Sequence, residues 1–185
     1  MRHAFMSDVA QGLATRGIAT LRYQFPYMER GSKRPDSPKV AQATVRAAVA
    51  KAAHLLPRTS LFAGGKSYGG RMTSQAQAES PLAGVRGLAF LGFPLHPPGQ
   101  PSDGRAAHLS SVKVPMLFLQ GTRDDFADLD TLNLLIKRLG SAATPKLFDQ
   151  ADHSFHVPAK SGRTDGAVMA ELLDVLAAWI GSLIS

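Results

Sequence analysis

Short apolar runs alternate with helical patterns along the whole of this chain. Residues 18–23, 61–63, 85–93, 114–120 and 146–148 read as strands, the fourth of them strongly apolar. Between them apolar residues recur at helical spacing. Phe5, Val9 and Leu13 form one stripe that stops at Gly17; residues 40–56 are rich in alanine; residues 69–78 and 129–139 follow, the latter ending at Gly140. Residues 165–184 carry Val168, Leu172, Leu176 and Ile180 on one face. Strands separated by helices pair in parallel, so the pattern predicts a three-layer α/β sandwich, a mainly parallel sheet of about five strands between helices. Sites in such sheets form beyond the carboxyl ends of the strands. With no repeat or linker, residues 1–185 read as a single domain. The Pro/Gly-rich segment after the 85–93 strand, residues 94–112, is too short for a cap domain.

Composition narrows the function classes. The chain has 185 residues, 44% of them hydrophobic, and no cysteine. Disulfides, thiolate metal sites and a cysteine nucleophile are excluded. Lack of cysteine, with no signal-peptide pattern near the amino end and no apolar run long enough for a bilayer, leads us to expect a cytoplasmic protein without a membrane partner. The net charge of +7 is mostly scattered. Its one cluster, Arg30, Lys33, Arg34 and Lys39, is broken by Gly31, Pro35 and Pro38 and reads as a solvated loop. With no basic helix or recognition motif, a nucleic-acid partner is not expected. His153 and His156 are spaced H-x-x-H without a helix to align them, so neither a metal site nor a cofactor is expected.

Gly65-Lys66-Ser67-Tyr68-Gly69 reads G-x-S-x-G between an apolar run and a helical segment. That order suits a sharp strand-to-helix turn that lifts one serine out of a sheet. Ser60 stands where a phosphate-binding loop would need its first glycine, which argues against nucleotide binding. A serine hydroxyl needs a base, and the base needs an orienting carboxylate. Both follow in the chain: Asp124 after the 114–120 strand, and His153 after the 146–148 strand. Asp125 and Asp152 rival Asp124 for the acid, and His156 rivals His153 for the base.

Five segments carry a specific resemblance: residues 22–29 (R-x-x-F-P-Y-M-E), 64–71 (G-G-K-S-x-G-G-R), 93–99 (F-P-L-H-P-P-G), 121–124 (G-T-R-D) and 152–155 (D-H-S-F). With these the chain resembles small, lidless α/β-hydrolases of the dienelactone-hydrolase-like kind over essentially its whole length. The resemblance implies a serine hydrolase with Ser67 as nucleophile, Asp124 as acid and His153 as base. Dienelactone hydrolases proper use cysteine, so that exact activity is not expected here. The N–H of Tyr68, just after the nucleophile, would hold the oxyanion. Tyr27, Met28, His96 and Arg71 are candidate substrate contacts, His108 flanks the same loop as His96, and Trp179 reads as core. An open site of this kind suits a small or short-chain ester substrate, and the protein is compatible with a homodimer.

One departure matters. Proteins of this kind begin with a strand and an H-G-x-G loop, whereas here Met1-Arg2-His3 leads directly into the first helix. That loop supplies a second oxyanion donor, and loss of one donor costs about 100- to 1,000-fold in rate. The strand would lie between residues 18–23 and 61–63, so either those two pair directly or the sheet has an unfilled slot. A natural protein longer by roughly twenty to thirty residues is one expectation. The other is a weak or inactive hydrolase-like protein acting through protein interaction.

Overall fold

A computed structural model describes residues 4–184; Met1, Arg2 and His3, on which the reading of the front end rests, lie outside them. Six α-helices are described: α1 (Ala4–Ala14), α2 (Pro26–Glu29), α3 (Pro38–Leu55), α4 (Tyr68–Glu79), α5 (Leu129–Leu139) and α6 (Asp165–Ser182). The strands are β1 (Leu61–Lys66), β2 (Val85–Leu91), β3 (Met116–Gly121) and β4 (Ala143–Phe148). They form one parallel sheet in the order β1-β2-β3-β4. Between β2 and β3 the chain forms a 3-10 helix, Gly104–Ser111, that the sequence pattern does not announce.

Alternate residues of the central strands serve opposite faces. Leu88 and Phe90 of β2, with Met116 and Phe118 of β3, pack under α3, α4 and α5 beside Met72, Val45 and Leu132. Ala89 and Leu91, with Leu117 and Leu119, pack against Val9 and Leu13 of α1 and Leu172 and Leu176 of α6. Both faces are covered, so β2 and β3 are near-continuous apolar runs. Two helix starts are capped by side chains and a third is opened by proline. Pro38 opens α3; the Asp128 side chain accepts from Thr131 N–H at α5; and Thr164 Oγ1 accepts from Ala167 N–H at α6.

The sheet has four strands, not about five. Residues 18–23 form no strand, and among the described residues β1 pairs with β2 alone. The slot is an open cleft of about 600 Å³ walled by residues including Val9, Leu13, Ile18, Leu21, Val45 and Phe62. Its effect shows in burial. All six residues of β1 are only half-buried, whereas every residue of β3 is buried. Backbone hydrogen bonds close to solvent open at lower free energy than those of a buried centre. We therefore expect the amides of β1 to exchange with deuterium on the order of tenfold or more faster than those of β3. Equal protection across the four strands would contradict an open edge.

Candidate active site

At the carboxyl end of β1 the chain turns into α4 within one residue. Ser67, the residue between them, has φ 50° and ψ −116°. A non-glycine residue at such angles is strained and persists only where its surroundings hold it. Here Ser67 N–H donates to Leu91 O at the end of β2 (3.2 Å), and Arg71 N–H donates back to Ser67 O (3.1 Å). The turn also needs close passage of β1 past α4: a Cβ on Gly70 would sit 2.7 Å from Gly65 O.

Asp124 lies three residues beyond β3 and is buried. Its Oδ2 accepts from Gln120 Nε2 (2.5 Å) and from His153 Nδ1 (2.7 Å), and its Oδ1 accepts from Phe126 N–H (2.9 Å). Three donors thus converge on the two oxygens of this side chain. The His153 ring lies against Phe126, with centroids 4.5 Å apart. Its other neighbour is the end of β2, where a Cβ on Gly92 would come within 3.2 Å of Nδ1. Ser67 and His153 therefore converge on the same stretch, Leu91 and Gly92.

The residues that rival this pair in sequence are placed elsewhere. Asp125 is exposed. Asp152 turns its carboxylate onto the N–H groups of Ser154 (2.7 Å) and His156 (3.0 Å), shaping the loop that carries His153. His156 pairs with Asp165 on the surface (2.8 Å), and that hydrogen bond raises its pKa. Phe155 holds this loop with φ 63°, buried and packed between Phe5 (5.7 Å) and Phe148 (5.5 Å).

Four residues support the site in ways that the motifs do not convey, Lys66 among them although it flanks the elbow. Lys66 reaches across from β1 to donate to the His153 carbonyl (2.5 Å), its ammonium 4.8 Å from the Phe5 ring; burial lowers its pKa. Gln120 also accepts from Phe93 N–H (2.8 Å), tying the loop after β2 to the acid. Phe126 and Gly92 frame the imidazole. Only Gln120 advertised itself, as a lone polar residue ending an apolar strand.

The candidate substrate contacts divide. The ring of Tyr27, on α2, meets that of Tyr68 edge-on at 6.1 Å, and Tyr68 Oη donates to Asp36 O (3.0 Å), so both rings belong to the cluster that joins α2 to the start of α4. Burial raises the pKa of each phenol. Met28 is 40% exposed. His96 is buried, with Nδ1 at 2.8 Å from Pro97 O and Nε2 accepting from Asp128 N–H (3.1 Å). Neither nitrogen is left for a substrate, and this histidine joins the loop after β2 to the start of α5. Arg71 lies one helical turn beyond Ser67. Trp179 packs edge-on against Phe62 (5.8 Å). Among the described residues no cluster of three or more acidic or histidine side chains could hold a metal ion, and no helix is long and apolar enough to cross a membrane.

Residues 1–181 match the sequence profile of a family described as alpha/beta hydrolase domain. Solved structures agree in fold. An alpha-beta serine hydrolase homologue from Coxiella burnetii superposes with a TM-score of 0.74 at 19% identity, covering 96% of this chain and 76% of its own. A serine hydrolase without a lid from Xanthomonas campestris gives 0.68 at 20% identity, over 91% and 72% of the two chains. The esterase domain of a Rhodothermus marinus protein gives 0.70 at 17%, over 98% and 80%.

Proposed function

Because this chain belongs to the alpha/beta hydrolase domain family, we propose that it hydrolyses small carboxylic esters through Ser67, His153 and Asp124. The observation that carries this reading is the 2.7 Å hydrogen bond from His153 Nδ1 to a buried, fully engaged Asp124. That bond puts the proton on Nδ1 and leaves Nε2 as the basic nitrogen. Ser67 Oγ attacks the ester carbonyl while Nε2 takes its proton. Asp124 steadies the imidazolium that forms, and Tyr68 N–H stabilises the tetrahedral oxyanion. Collapse expels the alcohol, which takes the proton from Nε2, and leaves an acyl group on Ser67. Water then repeats the sequence through the same base and releases the acid.

The relatives described as esterase and lidless serine hydrolase support ester chemistry, and the motif set favours the dienelactone-hydrolase-like branch within the family. Loop length supports a short acyl group. Only the 3-10 helix stands between β2 and β3, and it packs on α4 rather than forming a cap. A fluorophosphonate probe, followed by intact mass, tests the nucleophile. One adduct per chain is expected, mapping to Ser67 and absent from Ser67→Ala, with 4-nitrophenyl butyrate turned over in preference to the hexadecanoate. An unlabelled native chain, or an adduct that survives in Ser67→Ala, would overturn the reading.

A further inference from the structure

Lys66 is a half-buried charge without a counter-ion. Its ammonium makes no ion pair among the described residues. A lysine drawn into the protein is normally paired, and an apolar side chain of similar length would fill the space without that cost. Lys146 shows the ordinary arrangement nearby: its ammonium lies 5.7 Å from the Phe148 ring and pairs with Glu171. Lys66 donates instead to the main-chain carbonyl of His153 (2.5 Å). Its Nζ lies 4.8 Å from the centre of the Phe5 ring and 5.4 Å from that of Phe155, and the two rings stack at 5.7 Å. Burial lowers its pKa, and the carboxylates of Asp124 and Asp152 oppose the shift without pairing with it.

The two ends of this hydrogen bond give it meaning. Lys66 immediately precedes Ser67, while His153 follows β4, with β2 and β3 standing between β4 and β1 in the sheet. No ladder bond can span that gap. The backbone bonds of the His153 loop are internal, from Asp152 N–H to His156 O (2.9 Å) and from Phe155 N–H to Asp152 O (2.9 Å). Among the described residues, no other hydrogen bond joins residues 152–156 to β1 or the elbow. The bond to Asp124 sets how the imidazole is turned, but it leaves the distance of this loop from β1 to something else. Phe155, at φ 63°, is also a backbone position that persists only where its surroundings hold it. We propose that Lys66 is a positioning residue for the base, its ammonium clamping the His153 carbonyl, Phe155 and Phe5 together and so setting the reach from His153 to Ser67. A general base works only within hydrogen-bond reach of the proton it takes. Through Phe5 the first turn of α1 becomes part of the support of the site. The inference rests on Ser67 and His153 being nucleophile and base, but its first readout needs no turnover.

The Nδ1 proton of His153, held in its 2.7 Å hydrogen bond to Asp124, should give a downfield proton resonance that is absent from His153→Gln. In Lys66→Met this proton should exchange with water at least about tenfold faster, because a loosened loop opens the bond more often. In the same variant kcat for 4-nitrophenyl butyrate should fall about a hundredfold with KM within about threefold, and fluorophosphonate labelling should slow in step with kcat. Lys66→Arg keeps a charged donor and should recover at least about tenfold of the loss. Lys146→Met should leave both readouts unchanged. Phe5→Leu removes one ring of the clamp and should lower kcat about fivefold, so the test stands even if Lys66→Met fails to fold. Native exchange and native kcat in Lys66→Met, or in Phe5→Leu where the methionine variant does not fold, overturn the inference. So does a loss that falls on KM, or one that tracks the melting temperature and is not mended by arginine, since Lys66 is then a structural residue alone. A native chain whose resonance weakens in Lys66→Met, yet which takes up no fluorophosphonate and hydrolyses no ester, overturns the hydrolase reading and leaves the clamp standing.

Discussion

Asp124→Asn is expected to lower kcat for ester hydrolysis by about ten-thousand-fold while the protein stays folded. The reason lies in the three donors around this side chain. Gln120 Nε2 and His153 Nδ1 both point at Oδ2, and Phe126 N–H points at Oδ1. An asparagine must turn an NH2 group toward one of these oxygen positions. At Oδ2 it would face the Gln120 amide donor and force His153 to accept through Nδ1. The ring proton would then move to Nε2, and the base toward Ser67 would be lost. At Oδ1 it would face the Phe126 N–H, opening the turn that holds Asp124 in place. Either way the volume is conserved and the polarity is wrong. Asp125→Asn, at the exposed neighbouring position, should leave kcat within about threefold, as surface substitutions away from such networks generally do. Steady-state kinetics on the two variants, with fluorophosphonate labelling rates beside them, decide the matter. Similar losses in both, or in neither, would remove Asp124 from the proposed chemistry.

That network shows what local sequence can and cannot convey. The order Ser67, Asp124, His153 and the strand preceding each residue were legible, because an elbow, an apolar run and a turn are short-range features. The G-T-R-D resemblance pointed to Asp124 rather than Asp125, but no local pattern conveys that Gln120, His153 and Phe126 N–H converge on the first of these adjacent carboxylates while the second is exposed. Likewise the role of Lys66 depends on Phe5 and His153, which are remote in sequence and meet only across the face covered by α1. Residues 18–23 carry the local marks of a strand, yet a strand exists only through a partner edge, and the cleft beside β1 supplies none. His96 falls under the same principle. A histidine in a Pro/Gly loop reads as solvated, and only the start of α5 folding back makes it a buried joint. The five long helices and the strands β1 to β4 were legible through the short crossovers of a parallel sheet, β1 and β4 as shorter runs than they form, whereas the four-residue α2 lies in the 25–38 segment that reads as a loop.

Gly121→Ala is expected to disable the same site from the opposite side, without touching any group that reacts. Gly121 ends β3, and a Cβ there would lie 2.3 Å from Ala151 O and 2.6 Å from Asp152 O. Both are main-chain atoms of the loop that carries His153, so no side chain can swing aside to make room. The loop is held from beneath by Arg123 N–H to Ala151 O (2.9 Å) and Thr122 N–H to Phe148 O (3.0 Å). The methyl group must therefore displace those carbonyls by about 1 Å, and His153 with them. A shift of that size in a positioned group costs about a hundredfold in rate. It should pull Nδ1 away from Asp124 and lower kcat/KM by that order. Overpacking of this kind also costs about 1–3 kcal/mol, so the melting temperature should drop by several degrees. Gly166→Ala, on the first turn of α6, meets nothing nearer than Thr164 Oγ1 at 3.9 Å and serves as the control. If Gly121→Ala melts and turns over like the control, the loop has slack, and the close seating of β3 under Ala151 and Asp152 is not what positions His153. If it loses stability but keeps its rate, the strain is absorbed before it reaches the imidazole, and Lys66, which grips the His153 carbonyl from β1, becomes the residue that fixes the base.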